Sequence, residues 1–343
     1  MYNKEENTVK KNHSSVRCGI VLAAGEGKRL RPLVRRLRGD TLPKQYVNLV
    51  GTSSMLEQTF RRAEMLIPSD HLFTVVSQAH LGFPEVRRQL SGHRGGTVIA
   101  QPENKETGPG LLLPLMHLYK RHPDSTVVVF PSDHFILEED VFMAYVDLAF
   151  HVVERDPASI VLMGVEPSEP EPEYGYILPG EEINPAALLG VRKVVRFIEK
   201  PEPRVAQQLT ASGGLWNTLV MVFKAGAFLN LVQRIAPTLY RSFQRIGDAI
   251  GNPAETDILA QVYRNMEPVN FSAGLLEKFS VDNRAQLLVV PVLGVLWSDW
   301  GSERRLTAVL KRIGLLEPAN GLPAAYPSMF KESSASTLKR DVA

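Results

Sequence analysis

The sequence predicts an α/β protein built on a mostly parallel central sheet covered by helices on both faces. Three observations carry that prediction. Short apolar runs rich in β-branched residues recur through the first half of the chain, as expected of strands buried on both faces. Stretches with apolar residues at helical spacing separate them, and this alternation is most economically met by parallel crossovers. The first run ends in a glycine-rich turn, the form in which a buried strand feeds a ligand-binding loop.

Taken in order, CGIVLAA (18–24) is the first strand. Ser54 with Glu57 has the spacing of a capping box, and Met55, Leu56, Phe60, Ala63, Met65 and Leu66 then mark the apolar face of a helix. LFTVVS (72–77), TVIA (97–100), TVVVF (126–130) and SIVLMGV (159–165) repeat the strand pattern, with helical stretches at 111–122 and 138–155 between them. After Val165 the segment EPSEPEPEYGYILPGEEINP is rich in proline and acids without a period, which predicts a long functional loop. VRKVVRFIEKP (191–201) and LWNTLVMVF (215–223) read as further strands, and 225–265 as largely helical. The runs QLLVVPV and GVLW then lead to SDWGS and a closing helix, SERRLTAVLKRI. Residues 1–16 form a polar tail, 17–315 a single folded domain, and 316–343 a loosely held tail.

The 343 residues are ample for a large hydrophobic core, with 44% hydrophobic and 22% charged residues, so neither disorder nor a fibrous repeat is indicated. Lysine and arginine at 39 nearly balance aspartate and glutamate at 37, which supplies no field for a polyanion and argues against nucleic acid as a partner. No stretch approaches the roughly 20 apolar residues of a membrane span. The N-terminus carries no apolar core of an export signal, and the single cysteine, Cys18, can form neither an internal disulfide nor a multi-thiolate metal site. A cytoplasmic protein is expected.

The segment AAGEGKRLRP (23–32) directly after a strand can offer backbone N–H groups to phosphate, with Gly25 and Gly27 allowing close approach and positive φ. Leu30 stands where a dinucleotide fingerprint needs its third glycine. Leu22 and Arg29 stand where a P-loop needs glycine and a hydroxyl residue. What remains is a glycine turn bearing Lys28, Arg29 and Arg31, suited to a triphosphate, with an ordinary surface turn as the alternative.

LAAGEGKRLRPL (22–33) together with LPKQY (42–46) resembles the signature of sugar-phosphate nucleotidyltransferases, the nucleotide-sugar pyrophosphorylases. FPSDHFI (130–136), YGYI (174–177), FIEKP (197–201), LWNT (215–218), LLEK (275–278) and WSDWGS (297–302) resemble, in order, motifs of the mannose-1-phosphate guanylyltransferase branch. The resemblance spans about residues 17–312 and implies a Rossmann-like nucleotidyltransferase fold, similar to the type A glycosyltransferases. Lys28 replaces that signature's threonine, Leu219 a glycine, and Ser272 an acidic residue. KETGPG (105–110) stands where the branch usually has Arg-Asn-Thr-Ala-Pro-Ala.

The implied reaction is attack by a sugar 1-phosphate oxygen on the α-phosphorus of a nucleoside triphosphate, giving an NDP-sugar and pyrophosphate; GTP, mannose 1-phosphate and GDP-mannose are the first expectation. The resemblance assigns Ala24, Gly25, Gly27, Lys28 and Arg29 to the nucleotide. It makes Arg29 the neutraliser of the leaving phosphates and Lys44 the cation where the two substrates join. Asp133 and Asp299 each follow an apolar strand, and the motifs around them favour magnesium binding over helix-capping roles. By the same resemblance Glu199 meets sugar hydroxyls, Lys200 the sugar phosphate, and Gly175 and Asn217 line the sugar pocket. His134, Trp216 and Trp297 read as packing or wall residues. Two alternatives stay open. One is a catalytically silent nucleotide-sugar binder, which the changes at Lys28, Leu219 and Ser272 keep open and the retained Arg29, Lys44, Asp133 and Asp299 argue against; the other is a cytidylyltransferase of isoprenoid synthesis, which shares Pro-Lys-Gln-Tyr but is shorter and lacks the Phe-Ile-Glu-Lys-Pro segment. The sequence leaves the sugar, the base and any homo-oligomer undecided.

Overall fold

A computed structural model describes residues 15–183, 190–282 and 284–316. The two predicted tails lie almost wholly outside the described residues. Leu316, the first residue of the second one, is buried in an apolar cluster with Leu306 and Leu310.

Nine strands form one sheet: β1 (Arg17–Leu22), β2 (Leu72–Ser77), β3 (Thr97–Gln101), β4 (Thr126–Pro131), β6 (Ser159–Val165), β7 (Tyr176–Glu182), β8 (Arg192–Ile198), β9 (Leu215–Lys224) and β10 (Gln286–Val292). Their order is β3-β2-β1-β4-β9-β6-β10-β8-β7. β1 pairs in parallel with both β2 and β4, and β6 with β10, whereas β8 and β9 run against their neighbours. A small second sheet joins β5 (Phe135–Ile136) to β11 (Trp297–Ser298), bringing the chain after β4 against the chain before Asp299.

Alternation along the strands explains the two covered faces. Val127 and Val129 of β4 enter one apolar cluster, shared with α4 (Thr107–Arg121), α7 (Ala225–Ile235), α8 (Pro237–Ala249), α9 (Glu255–Asn265) and the short α10 (Glu277–Val281). Val128 and Phe130 enter the opposite cluster, built on α5 (Glu139–Arg155) and α6 (Pro203–Ala211). A third cluster gathers α1 (Arg31–Arg38), α2 (Met55–Ala63), α3 (Pro84–Gly92) and α11 (Glu303–Arg312). The capping box on α2 is formed as expected: the Ser54 hydroxyl accepts from the Glu57 N–H, and the Glu57 carboxylate accepts from the Ser54 N–H.

One element differs from the sequence reading. The acidic, proline-rich segment after Val165 is loop only as far as Gly175, and Tyr176–Glu182 is a strand. Period failed as a signal because only Tyr176 and Ile177, which pair with β9 as well as β8, are buried, while the rest of β7 is partly exposed on both sides. Pro179 sits at a register shift in its pairing with β8, where a missing N–H is tolerated.

Candidate active site

A cleft of about 300 Å³ opens where β1 and β4 end. The chain leaves β1 outward through β2 and β3 and returns to β4 on the other side of β1. This is the switch point at which open α/β sheets bind ligands.

The glycine turn after β1 is held from below by LPKQY. Gln45 Nε2 donates to the carbonyls of Ala23 (2.9 Å) and Gly25 (2.7 Å), and the Tyr46 hydroxyl donates to Ala23 (3.0 Å). Gly27 is the glycine the turn requires. Its φ is +57°, and a Cβ there would lie 3.1 Å from Lys44 Cγ and 3.3 Å from Lys44 N. Gly25 corrects the sequence reading, since it has no positive φ and a Cβ would meet nothing within 4 Å.

Lys44 is buried behind the cleft and joins the two aspartate-bearing turns. Its Nζ lies 3.0 Å from Asp133 Oδ2 and donates to the carbonyls of Asp299 (2.7 Å) and Trp300 (3.2 Å). Burial would raise the Asp133 carboxyl, but the Lys44 ammonium at 3.0 Å holds it below the usual range, so it is ionised. His134 lines the cleft and packs edge-on against the Trp297 ring. Burial pushes it down to about 4, and its Nδ1 accepts from Trp297 Nε1 at 3.3 Å.

Asp299 Oδ1 accepts from the Tyr174 hydroxyl at 2.8 Å and the Gly301 N–H at 2.9 Å. Arg29 stands across the cleft mouth, its Nη1 2.7 Å from Glu173 and its Nη2 4.0 Å from Asp299 Oδ2. Lys28 is 71% exposed and pairs with Glu26 at 3.2 Å; neither it nor Ala24 nor Gly27 is part of the cleft wall. The donor chemistry suits magnesium, which takes one or two carboxylates and fills its octahedron with water and substrate phosphate oxygens. Asp133 offers one carboxylate beside Lys44, whereas Asp299 meets Lys44 through its backbone carbonyl and its carboxylate accepts from Tyr174, Gly301 and Arg305.

At the other end, Glu199, Lys200 and Asn217 share the wall with Gly175. A Cβ on Gly175 would lie 2.6 Å from Glu199 Oε2 and 2.8 Å from Phe197 Cζ, so glycine is what admits the carboxylate. Burial, helped by Glu277, raises the Glu199 carboxyl despite Lys200 at 3.9 Å and a hydrogen bond with Ser272. Ser272 sits in a π-helical turn (Ser272–Leu276), a form often found at functional sites.

The non-glycine residues with positive φ, among those described, are Glu106, Lys200, Leu219 and Trp300. Lys200 and Leu219 line the cleft, while Glu106 and Trp300 adjoin its wall residues Thr107 and Asp299. Such conformations cost about 1–3 kcal/mol each and gather where function over-determines the backbone. Leu219, with φ +57°, occupies the position that the sequence resemblance reserves for glycine.

Residues 18–313 match a family model described as Nucleotidyl transferase. The chain belongs to that family. It is 29% identical over 297 residues to the xanthan biosynthesis protein XanB of Xanthomonas campestris pv. campestris (strain B100), covering 86% of this chain and 60% of that protein. It is also 29% identical over 289 residues to a mannose-1-phosphate guanylyltransferase of Escherichia coli (strain K12), covering 82% and 57%. The chain thus spans about three fifths of the length of these curated relatives. The fold is similar to a crystal structure from Thermus thermophilus named mannose-1-phosphate geranyltransferase, with a TM-score of 0.73 at 23% identity, covering 89% of this chain and 81% of that one.

The sequence did not single out Arg305, Glu171 or Glu173. Arg305 lies on the side of α11 that carries Leu306, Val309 and Leu310, and it is only 6% exposed. The capping residue Ser302, whose hydroxyl accepts from the Arg305 N–H, fixes that part of the helix against the Asp299 turn. Gln45 was visible inside its motif, but its clamp on two loop carbonyls was not.

Proposed function

We propose that the protein joins a sugar 1-phosphate to the nucleoside monophosphate part of a nucleoside triphosphate, making an NDP-sugar and pyrophosphate. The observation that carries the reading is Lys44, whose buried ammonium ties the Asp133 carboxylate to the Asp299 turn directly beneath the glycine loop. Two polyanions can meet only where cations and fixed donors already stand.

In this reading the glycine turn and Arg29 hold the triphosphate, with Arg29 over the phosphates that leave. Glu199, Asn217 and the Gly175 backbone receive the sugar hydroxyls, and Lys200 its phosphate. A phosphate oxygen of the sugar bonds to the α-phosphorus as the bond to the bridging oxygen of the β-phosphate breaks, and that oxygen departs with pyrophosphate. Lys44 neutralises charge on the α-phosphoryl oxygens as both bonds stretch. Asp133 and Asp299 would hold magnesium, which supplies charge neutralisation and substrate orientation at the phosphates when bound. GTP and mannose 1-phosphate are the proposed pair, supported by relatives named mannose-1-phosphate guanylyltransferase.

The test is a matrix of four nucleoside triphosphates against several sugar 1-phosphates with magnesium, scored by pyrophosphate release. Preferred turnover of GTP with mannose 1-phosphate is expected. Equal turnover with UTP or dTTP would remove the guanine assignment, and release with no pair would leave a nucleotide-sugar binder.

A further inference from the structure

Arg305 is an arginine with almost no solvent, on an element that the proposed chemistry does not use. Its Nη2 donates to Asp299 Oδ2 at 3.3 Å, its Nε stands 3.1 Å from Oδ1 as an ion-pair contact without hydrogen-bond geometry, and the guanidinium lies 4.7 Å from the Tyr174 ring centre. Its remaining Nη1 lies 2.9 Å from Glu173 Oε2 and 3.4 Å from Glu171. Glu173 Oε2 is the same atom that Arg29 holds at 2.7 Å. One carboxylate oxygen is therefore shared between a buried guanidinium and the half-exposed one that faces the cleft. Gly301 makes room for this arrangement, since a Cβ there would fall 2.2 Å from Arg305 Nη2 and 2.8 Å from Arg29 Nη2.

We propose that Arg305 is a positioning residue for this site, setting the carboxylate of Asp299 and offering Glu173 a second cation, so that an incoming phosphate can displace Glu173 from Arg29. The proposal rests on the nucleotidyl-transfer reading. With Nη2 bonded to one carboxylate oxygen and Nε close to the other, the guanidinium sets its positive charge against both oxygens at once, which a lysine's single ammonium cannot do. The pull on Glu173 is electrostatic: a carboxylate held by Arg305 competes less with an incoming triphosphate for the Arg29 guanidinium.

The experiment compares wild type with Arg305→Lys, Glu173→Gln and the double variant. It measures triphosphate affinity by calorimetry in EDTA and turnover by pyrophosphate release with magnesium. Arg305→Lys should lower turnover by about 10- to 100-fold, the usual cost of losing an outer partner of a metal-binding carboxylate. It should also weaken metal-free triphosphate binding several-fold. Glu173→Gln should tighten that binding and, in the double variant, restore it, while the turnover loss persists. Wild-type turnover and affinity in Arg305→Lys would overturn the proposal, as would a binding loss that Glu173→Gln leaves in place. An Arg305→Met variant that melts earlier but keeps both parameters would reduce the residue to a structural one. If wild type releases no pyrophosphate while the binding pattern holds, the transfer reading fails and the Arg305–Glu173–Arg29 linkage stands.

Discussion

The two ends of the cleft are built by different physics. At the phosphate end every charged side chain already has an opposite one: Lys44 with Asp133, Arg29 with Glu173, Arg305 with Asp299. At the sugar end shape comes from the backbone, through the close approach at Gly175 and the left-handed residues Lys200 and Leu219, and Glu199 has only Lys200 at 3.9 Å as its cation. Charge arranged in advance suits a partner whose recognition is electrostatic. Strained backbone suits one whose recognition depends on where hydroxyls fall.

The comparison breaks first at Lys44. Lys44→Met should lower turnover by a hundredfold or more, since one fixed charge-stabilising donor contributes about 3 kcal/mol at the reacting phosphate. It also strips the carbonyls of Asp299 and Trp300 of their donor, so the melting temperature should fall too. Asp133→Asn, which leaves Lys44 its two carbonyl partners, should show a comparable rate loss with a smaller change in melting. Near-normal pyrophosphate release by folded Asp133→Asn would remove both the metal assignment and the contrast between the two ends.

At the sugar end, Gly175→Ala should act on the sugar substrate alone. The added methyl meets Glu199 Oε2 at 2.6 Å and the Phe197 ring at 2.8 Å, an overpacking of about 1–3 kcal/mol if the strand shifts to relieve it. The expected result is a KM for the sugar 1-phosphate raised about tenfold or more, with triphosphate affinity within twofold of wild type. A rise in both would mean that the two ends are not separable.

Protonation sharpens the same contrast. Burial and Glu277 raise the Glu199 carboxyl, so it gains its proton on acidification at a higher pH than an ordinary glutamate. A protonated Glu199 loses acceptor capacity for sugar hydroxyls, and the sugar KM should climb as pH falls through that raised value. Glu277→Gln removes one cause and should move the climb to lower pH. Because the sugar phosphate titrates identically in both assays, the difference between the two profiles reports on Glu199. Coincident profiles would deny it contact with the sugar.

How much of this was legible follows the same division. The strands and the capping box at Ser54 are local signals, and Gly27, Lys44, Asp133 and Asp299 could be named because each lies inside a short motif that resembles the family's; the structure brings the last three into contact or near contact around Lys44. Arg305 could not. Its partner Asp299 is 6 residues away, but Glu171 and Glu173 come from a loop more than a hundred residues earlier; the helical period puts Arg305, four residues before Val309, on the buried side of α11 but says nothing of which carboxylates it meets there. β7 was missed because only its first two residues are buried, and a proline and a register shift break the alternation of the rest. Leu219 was flagged only as a departure from glycine; that the position demands a left-handed backbone is visible in three dimensions alone.

The smallest expected effect isolates that backbone. At an ordinary strand position alanine is more stable than glycine by about 0.5–1 kcal/mol, because glycine loses more freedom on folding. At φ +57° the order should reverse, since a Cβ in the left-handed region costs about 1–2 kcal/mol. Leu219→Ala and Leu219→Gly both give up the leucine's contacts with the apolar cluster, so that loss cancels between them. Urea denaturation should therefore find Leu219→Gly more stable than Leu219→Ala by about 1 kcal/mol. Because Leu219 lines the cleft, the glycine variant should also use mannose 1-phosphate at a lower KM. Alanine equal to or above glycine in stability would mean that the backbone relaxes freely there, and that the sugar end is shaped by side chains after all. An unchanged KM in the more stable glycine variant would separate strain from specificity, leaving Gly175 and Glu199 to set the fit.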